Sequence, residues 1–224
     1  MHHLVDNDVV FKLARMELLK EACHLLGLNP SNTKRLAALP FIARKKLKGR
    51  PDTLKRVLEF CANYKAISGG DDPKALAKLS ASQKIDGGEA RLFAMAADDE
   101  NIVVLTGDKR SVLALAGDPK LKAIARKLEG RIEILETIML RLTAAKGFDI
   151  VRQQVLKVLD VDTTLALAFD TQESDREGHC RDALRSEESQ IEKVHSGLIR
   201  RSSLSYGHLR KTAYGSASLP TNPI

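Results

Sequence analysis

The sequence predicts an α/β fold in which a parallel sheet is layered between helices and continued by an all-helical C-terminal region. Three observations lead there. Short apolar runs (HHLV, IVVLT, RIEIL) alternate with longer segments whose apolar residues recur at helical spacing, and strands separated by helices imply a parallel sheet. The run from Ile102 to Leu105 has no polar residue, as expected of a strand buried on both faces. After Gly147, helical patterns follow one another with no strand pattern among them.

The elements follow in order. HHLVD has the shape of a short buried strand ending at Asp6. From Asn7 to Leu26, residues Val9, Val10, Leu13, Met16, Leu19, Cys23 and Leu26 fall at helical spacing, and Gly27 with Pro30 stops the run. Ser31 is expected to start a second helix running to Lys48, broken or kinked at Pro40. Pro51 and Asp52 open a third helix through LKRVLEFCANY, and YKAIS reads as a strand closed by Gly69-Gly70. Asp72-Pro73 begins another helix, with proline where helices tolerate it. Asp86 with Glu89 three residues on forms a capping-box pattern before EARLFAMAADD. NIVVLTGD is the strongest strand, followed by helices over RSVLALAG and DPKLKAIARKLE, the strand RIEIL and the helix ETIMLRLTAAK. FDIVRQQVLKVL, DTTLALAF and DALRSEESQIEKVHSGLIRR then read as helices, and YGSASLPTNPI as part of a loose tail. These patterns divide the chain into an α/β domain at 1–146, a helical extension at 147–201 and a flexible tail at 202–224.

Composition narrows the function classes. Hydrophobic residues make up 43% of 224, yet aromatics are 4% and Trp is absent, so Leu, Ala, Ile and Val must build the core. No apolar run approaches the roughly 18 residues of a membrane span, and the N-terminus lacks the basic-then-apolar order of a secretory signal. Cys23, Cys61 and Cys180 are far apart and form no CxxC, which suits reduced thiols in a cytoplasmic protein. The net charge is +7, favouring a polyanionic partner. Lys34, Arg35, Arg44, Lys45, Lys46, Lys48, Arg50, Lys55 and Arg56 stand against a single acid, Asp52, within 34–56. That block is either a solvated helix face or a phosphate-binding patch.

In open parallel sheets, functional groups gather at the carboxyl ends of the strands. Asp6 ends the first strand, Asp108 follows the strongest one, and Glu89 opens the helix that leads into it. Each acid taken singly is equally a cap or a turn residue. Three carboxylates on one edge repel one another and raise their pKa values. A hard divalent cation relieves that repulsion and can activate water for phosphoryl displacement.

LVDNDVVFKLARMELL resembles the opening of a PIN-like nuclease domain, a strand ending in Asp followed by a polar residue two on and an apolar helix. IDGGEARLFAMA resembles the acid-led helix of such domains, IVVLTGDKR is similar to their following strand, and RIEIL to the final one. The likeness spans about residues 1–146. It implies a three-layer PIN-like fold and a Mg²⁺- or Mn²⁺-dependent nuclease, mostly a ribonuclease and in some members the toxin of a toxin–antitoxin pair or a defence effector. Asp6, Glu89 and Asp108 would then be catalytic and hold the metal, with Asp86 as an extra ligand or a nearby acid. Asp8 and Thr106 would stand beside the ligands. Arg44, Lys45, Lys46, Lys48, Arg50, Lys109 and Arg110 would contact RNA, or DNA. An antitoxin or other protein, or a second copy of the chain, is the further partner implied; a membrane is not. One departure stands out. SNTKRLAALPFIARKKLKGR carries no acid where many members have one. Either Asp86 or Asp8 compensates, or metal binding is weak, or the domain binds RNA or protein without cutting.

Overall fold

Val103, Val104 and Leu105 occupy the centre of the molecule because β-branched and leucine side chains on successive strand positions point to opposite faces. Both faces are covered. The computed structural model describes residues 1–69, 72–172 and 174–201. Among these, five strands form one all-parallel sheet in the order β3-β2-β1-β4-β5. The strands are β1 (His2–Val5), β2 (Thr33–Arg35), β3 (Lys65–Ala66), β4 (Ile102–Thr106) and β5 (Ile132–Ile134). The central pair is in register with Val5 beside Leu105 and Leu4 beside Val104.

Helices form a layer on each face. Val5, Val103 and Leu105 pack with α1 (Asn7–Arg15), α2 (Leu19–Leu25), α3 (Leu39–Lys46), α4 (Pro51–Asn63) and α9 (Leu135–Lys146). Leu4, Ile102 and Val104 pack with α5 (Pro73–Ser80), α6 (Gly87–Asp98), α7 (Lys109–Gly117) and α8 (Lys122–Lys127). Burying one such side chain contributes about 1.5–3 kcal/mol, and the alternation fixes strand register because a one-residue slip would exchange the two faces. The C-terminal helices α10 (Phe148–Leu156), α11 (Thr163–Phe169) and α12 (Arg176–Val194) add to the same cores. Phe148, Val151, Leu165 and Phe169 join the first, and Ile191 near the end of α12 joins the second. No helix among the described residues is long and apolar enough to cross a membrane.

Three elements depart from the sequence reading. The helix expected over Asn7 to Leu26 is two helices. Glu17 takes a left-handed conformation with φ 60°, and the N–H groups of Leu18 and Glu17 bond to the carbonyls of Leu13 and Ala14 at 2.9 and 3.3 Å. This is a helix-ending motif usually built on glycine, so periodicity ran straight through it. The helix expected from Ser31 is instead a polar turn and β2. Asn29 Oδ1 accepts from the N–H groups of Ser31 and Asn32, after which Thr33–Arg35 pair with the edge of β1 opposite β4. Pro40 makes no kink; it lies in the first turn of α3, where its missing N–H costs no helical bond. The last helix stops at Val194, and Gly197 at φ 81° turns the chain so that Ile199 bridges to Ile132 on β5. The tail expected at 202–224 lies outside the described residues, as does Gly70.

Candidate active site

Three helix N-termini meet at the carboxyl edge of the sheet, and each is capped by one of the acids. Asp6 extends β1 through its N–H bond to the Leu105 carbonyl and caps α1, its Oδ2 accepting from the Asp8 N–H at 3.2 Å. Asp86 and Glu89 close a reciprocal box at the start of α6. Asp86 Oδ1 accepts from Glu89 N–H at 2.8 Å, and Glu89 Oε2 from Asp86 N–H at 3.0 Å. Asp108 caps α7 by accepting from Arg110 N–H at 2.8 Å. Thr106 holds the intervening turn, its hydroxyl oxygen accepting from Asp108 N–H at 3.1 Å. Capping explains why these residue types stand here.

Capping does not explain their burial. Glu89 is 4% exposed and Asp6 6%. Burial, with Asp8 and Asp86 adding repulsion, pushes the Asp6 carboxyl up to about 7, against the N–H groups of Asn7 and Asp8 that favour its charge. Burial likewise pushes Glu89 up to about 8, reinforced by Asp108, Asp86 and Asp6. These mutual influences place the four carboxylates within one electrostatic neighbourhood. Among the described residues, no ion pair joins Asp6 or Glu89 to a cation.

The acids lie where two open depressions meet. One, of about 550 Å³, runs from Asp6 and Asp8 to the α3 wall of Ala38, Ile42 and Lys46. The other, of about 590 Å³, runs past Gln83, Lys84 and Leu113. Asp86, Glu89, Asp108 and Arg110 border both. Two glycines make this closeness possible. A Cβ on Gly107 would stand 2.7 Å from Asp8 Oδ2, and one on Gly88 would stand 2.9 Å from Leu36 Cδ1.

Among the described residues, no group of three or more His, Cys, Asp or Glu side chains is drawn together closely enough, as placed, to hold a metal ion. The donor chemistry nonetheless fits Mg²⁺ or Mn²⁺: oxygens only, with Asp6 and Glu89 buried, Asp108 half-buried and Asp86 exposed, and all mutually repelling until neutralised. Asp6 and Glu89 each commit one oxygen to a helix cap. Were such an ion bound here, Asp6, Glu89, Asp108 and Asp86 would be its donors.

The cationic residues divide. Arg44, Lys45, Lys46, Lys48 and Arg50 are all exposed, on or just beyond α3. Lys46 borders the acid groove, and its ammonium lies 5.7 Å from the Phe11 ring. Arg110 is largely exposed and pairs with Asp108 at 3.2 Å. Lys109 turns away from the groove. Its ammonium lies 3.0 Å from Glu136, 2.7 Å from Glu187 and 3.0 Å from the Thr164 hydroxyl, so it is committed to holding α9, α11 and α12 rather than to a phosphate.

Sequence reasoning missed Lys12 and the second role of Asp162. Asp162 does cap α11, accepting from Leu165 N–H at 3.0 Å. Its other oxygen lies 2.8 Å from Lys12, which also pairs with Asp8 at 2.6 Å. The Asp8–Lys12 spacing of four was legible as a helical ion pair; the third partner, 150 positions away along the chain, was not.

No protein-family model matches the chain, and no match was found among curated proteins or solved structures.

Proposed function

We propose that the chain is a divalent-metal-dependent nuclease of PIN-like type that hydrolyses RNA. The observation that carries this reading is the groove. Asp86, Glu89 and Asp108 stand where two depressions meet, so an extended polymer can cross the acids with nucleotides on either side. A small-molecule site would bury most of its ligand in one concave cleft.

When bound, Mg²⁺ or Mn²⁺ supplies positive charge for the phosphate and lowers the pKa of water. The chain supplies the rest. Asp6, Glu89, Asp108 and Asp86 offer the oxygen donors. The exposed cations on α3 offer phosphate contacts along the track, with Phe41, 72% exposed one residue before the groove-lining Ile42, as a stacking surface for a base.

The test is incubation of purified protein with single-stranded and structured RNAs in Mn²⁺ or in EDTA. Cleavage in Mn²⁺ alone, lost in Asp6→Asn, is expected; cleavage that persists in EDTA overturns the reading. A second reading is a module that binds RNA or protein without cutting. It is favoured by the carboxylates' commitment to helix caps. Its mark is RNA binding that is unchanged in EDTA, without cleavage and without Mn²⁺ stabilisation.

A further inference from the structure

Lys12 lies at the seam between two of the acid-bearing turns. Its ammonium donates to the Gly107 carbonyl at 3.0 Å and pairs with Asp8 at 2.6 Å. Gly107 immediately precedes Asp108, and Asp8 follows Asp6 by two residues. At this seam the first turn of α1 presses on the β4–α7 turn so closely that a Cβ on Gly107 would meet the Val9 backbone nitrogen at 3.2 Å. The ammonium is held there from behind. Asp162, at the start of α11, sits 2.8 Å away with its side chain only 12% exposed. One helical turn on along α1, Arg15 takes a two-pronged grip on Asp160, at 3.0 and 2.8 Å. The α10–α11 connection therefore clasps α1 at two successive positions on one face. Burial opposes the charge on Lys12, yet Asp8 and Asp162 hold it above its ordinary value.

We propose that Lys12 is a positioning residue and that the helical extension is part of the site: Asp162 clamps the Lys12 ammonium, which ties the Asp6-bearing turn to the Asp108-bearing turn. The donors most distant in sequence are thereby kept at one separation. The extension then acts as a buttress for the acids, and a site built from residues 1–146 alone lacks its rear anchor. This inference rests on the metal-site reading above, but its structural half is measurable without a metal.

Asp162→Asn is the sharp variant, because asparagine still caps a helix while the charge facing Lys12 is removed. Lys12→Met removes the ammonium and keeps the stem, and Lys12→Arg restores the charge. Amide hydrogen exchange is followed by mass spectrometry on the full metal-free chain, with calorimetric Mn²⁺ titration in parallel. The expected result is exchange at 106–110 accelerated about tenfold or more in Asp162→Asn and Lys12→Met, with α11 unchanged in Asp162→Asn. Mn²⁺ affinity should fall about 10- to 100-fold, the usual cost of losing a group that orients a ligand, and recover in Lys12→Arg. Loosening of α11 with 106–110 unchanged would overturn the proposal, leaving Asp162 a cap and nothing more. Accelerated exchange at 106–110 in a protein whose wild type takes up no Mn²⁺ would keep the clamp and remove the metal reading instead.

Discussion

Asp6 and Glu89 are buried among other acids, whereas Glu136, buried, and Asp162, half-buried, stand against ammonium groups. Glu136 is 1% exposed, deeper than either acid of the groove, yet Lys109 stands 3.0 Å from it. Asp162 is held below the ordinary carboxylate range: burial raises it, and the Lys12 ammonium, the Leu165 N–H and Lys109 together more than offset that. Glu136 is held above its ordinary value, because burial outweighs the Lys109 ammonium that opposes it. Asp6 and Glu89 have backbone N–H groups to oppose their burial, and neighbouring acids push them further up. An acid buried with a cation is a fastening. Acids buried together without one are costly to the fold, and they are where the proposed metal would be received.

The largest effect should come from breaking a fastening. Lys109→Met leaves Glu136 buried without compensation and should lower unfolding free energy by about 3–5 kcal/mol, read by denaturant titration. A loss below about 1 kcal/mol would erase the distinction drawn between the two clusters.

The same surgery in the groove should do the opposite. Asp6→Asn and Glu89→Gln relieve repulsion, so the melting temperature in EDTA at neutral pH should hold or rise. Mn²⁺-dependent RNA cleavage should fall about 100-fold or more. Variants that lose both stability and activity would show the acids to be structural.

Next in size is the seam. Gly107→Ala places a methyl 2.7 Å from Asp8 Oδ2 and should cost about 1–3 kcal/mol through overpacking. A melting temperature equal to that of the parent would mean the two turns are not in close contact.

The titration of the groove gives a smaller, signed effect. Asp6 and Glu89 have folded-state values of about 7 and about 8, above their ordinary values of 3.8 and 4.5. Between those limits the folded state binds more protons than the unfolded one, so stability falls as pH rises. The metal-free melting temperature should therefore rise as pH is lowered from about 8 to about 5, in the window those values define. Asp6→Asn with Glu89→Gln should flatten the rise, and a slope that survives both changes would assign it to other groups.

The smallest effect belongs to the surface. Lys45→Gln should leave the melting temperature unchanged and, if Lys45 meets one phosphate, reduce the salt dependence of single-stranded RNA binding by about 0.7 in log–log slope. An unchanged slope would remove Lys45 from the track.

Much of this was legible in the chain itself. The run IVVLT marked β4, because burial on both faces favours an unbroken apolar stretch. The shorter segments HHLV and IEI marked β1 and β5 although each carries a buried polar residue, His3 and Glu133. The Asp86–Glu89 spacing announced the box that opens α6, since a capping box is satisfied within four residues. The acids at the ends of β1 and β4 were legible as a group only because parallel strands carry their carboxyl ends to one edge. What the sequence could not decide was long-range. The break at Glu17 was hidden because a residue other than glycine took the left-handed position. β2 was hidden because three residues of TKR become a strand only with β1 beside them. Lys109 and Lys12 look alike from the sequence, basic residues near acids. Only packing against α11 and α12 turned them inward, where low exposure makes an ion pair a fastening, and among the described residues no such pair reaches Asp6 or Glu89. Local hydrogen bonding and hydrophobic period are encoded within a few residues; which charges are matched and which are left unmatched is decided by segments up to 150 positions apart.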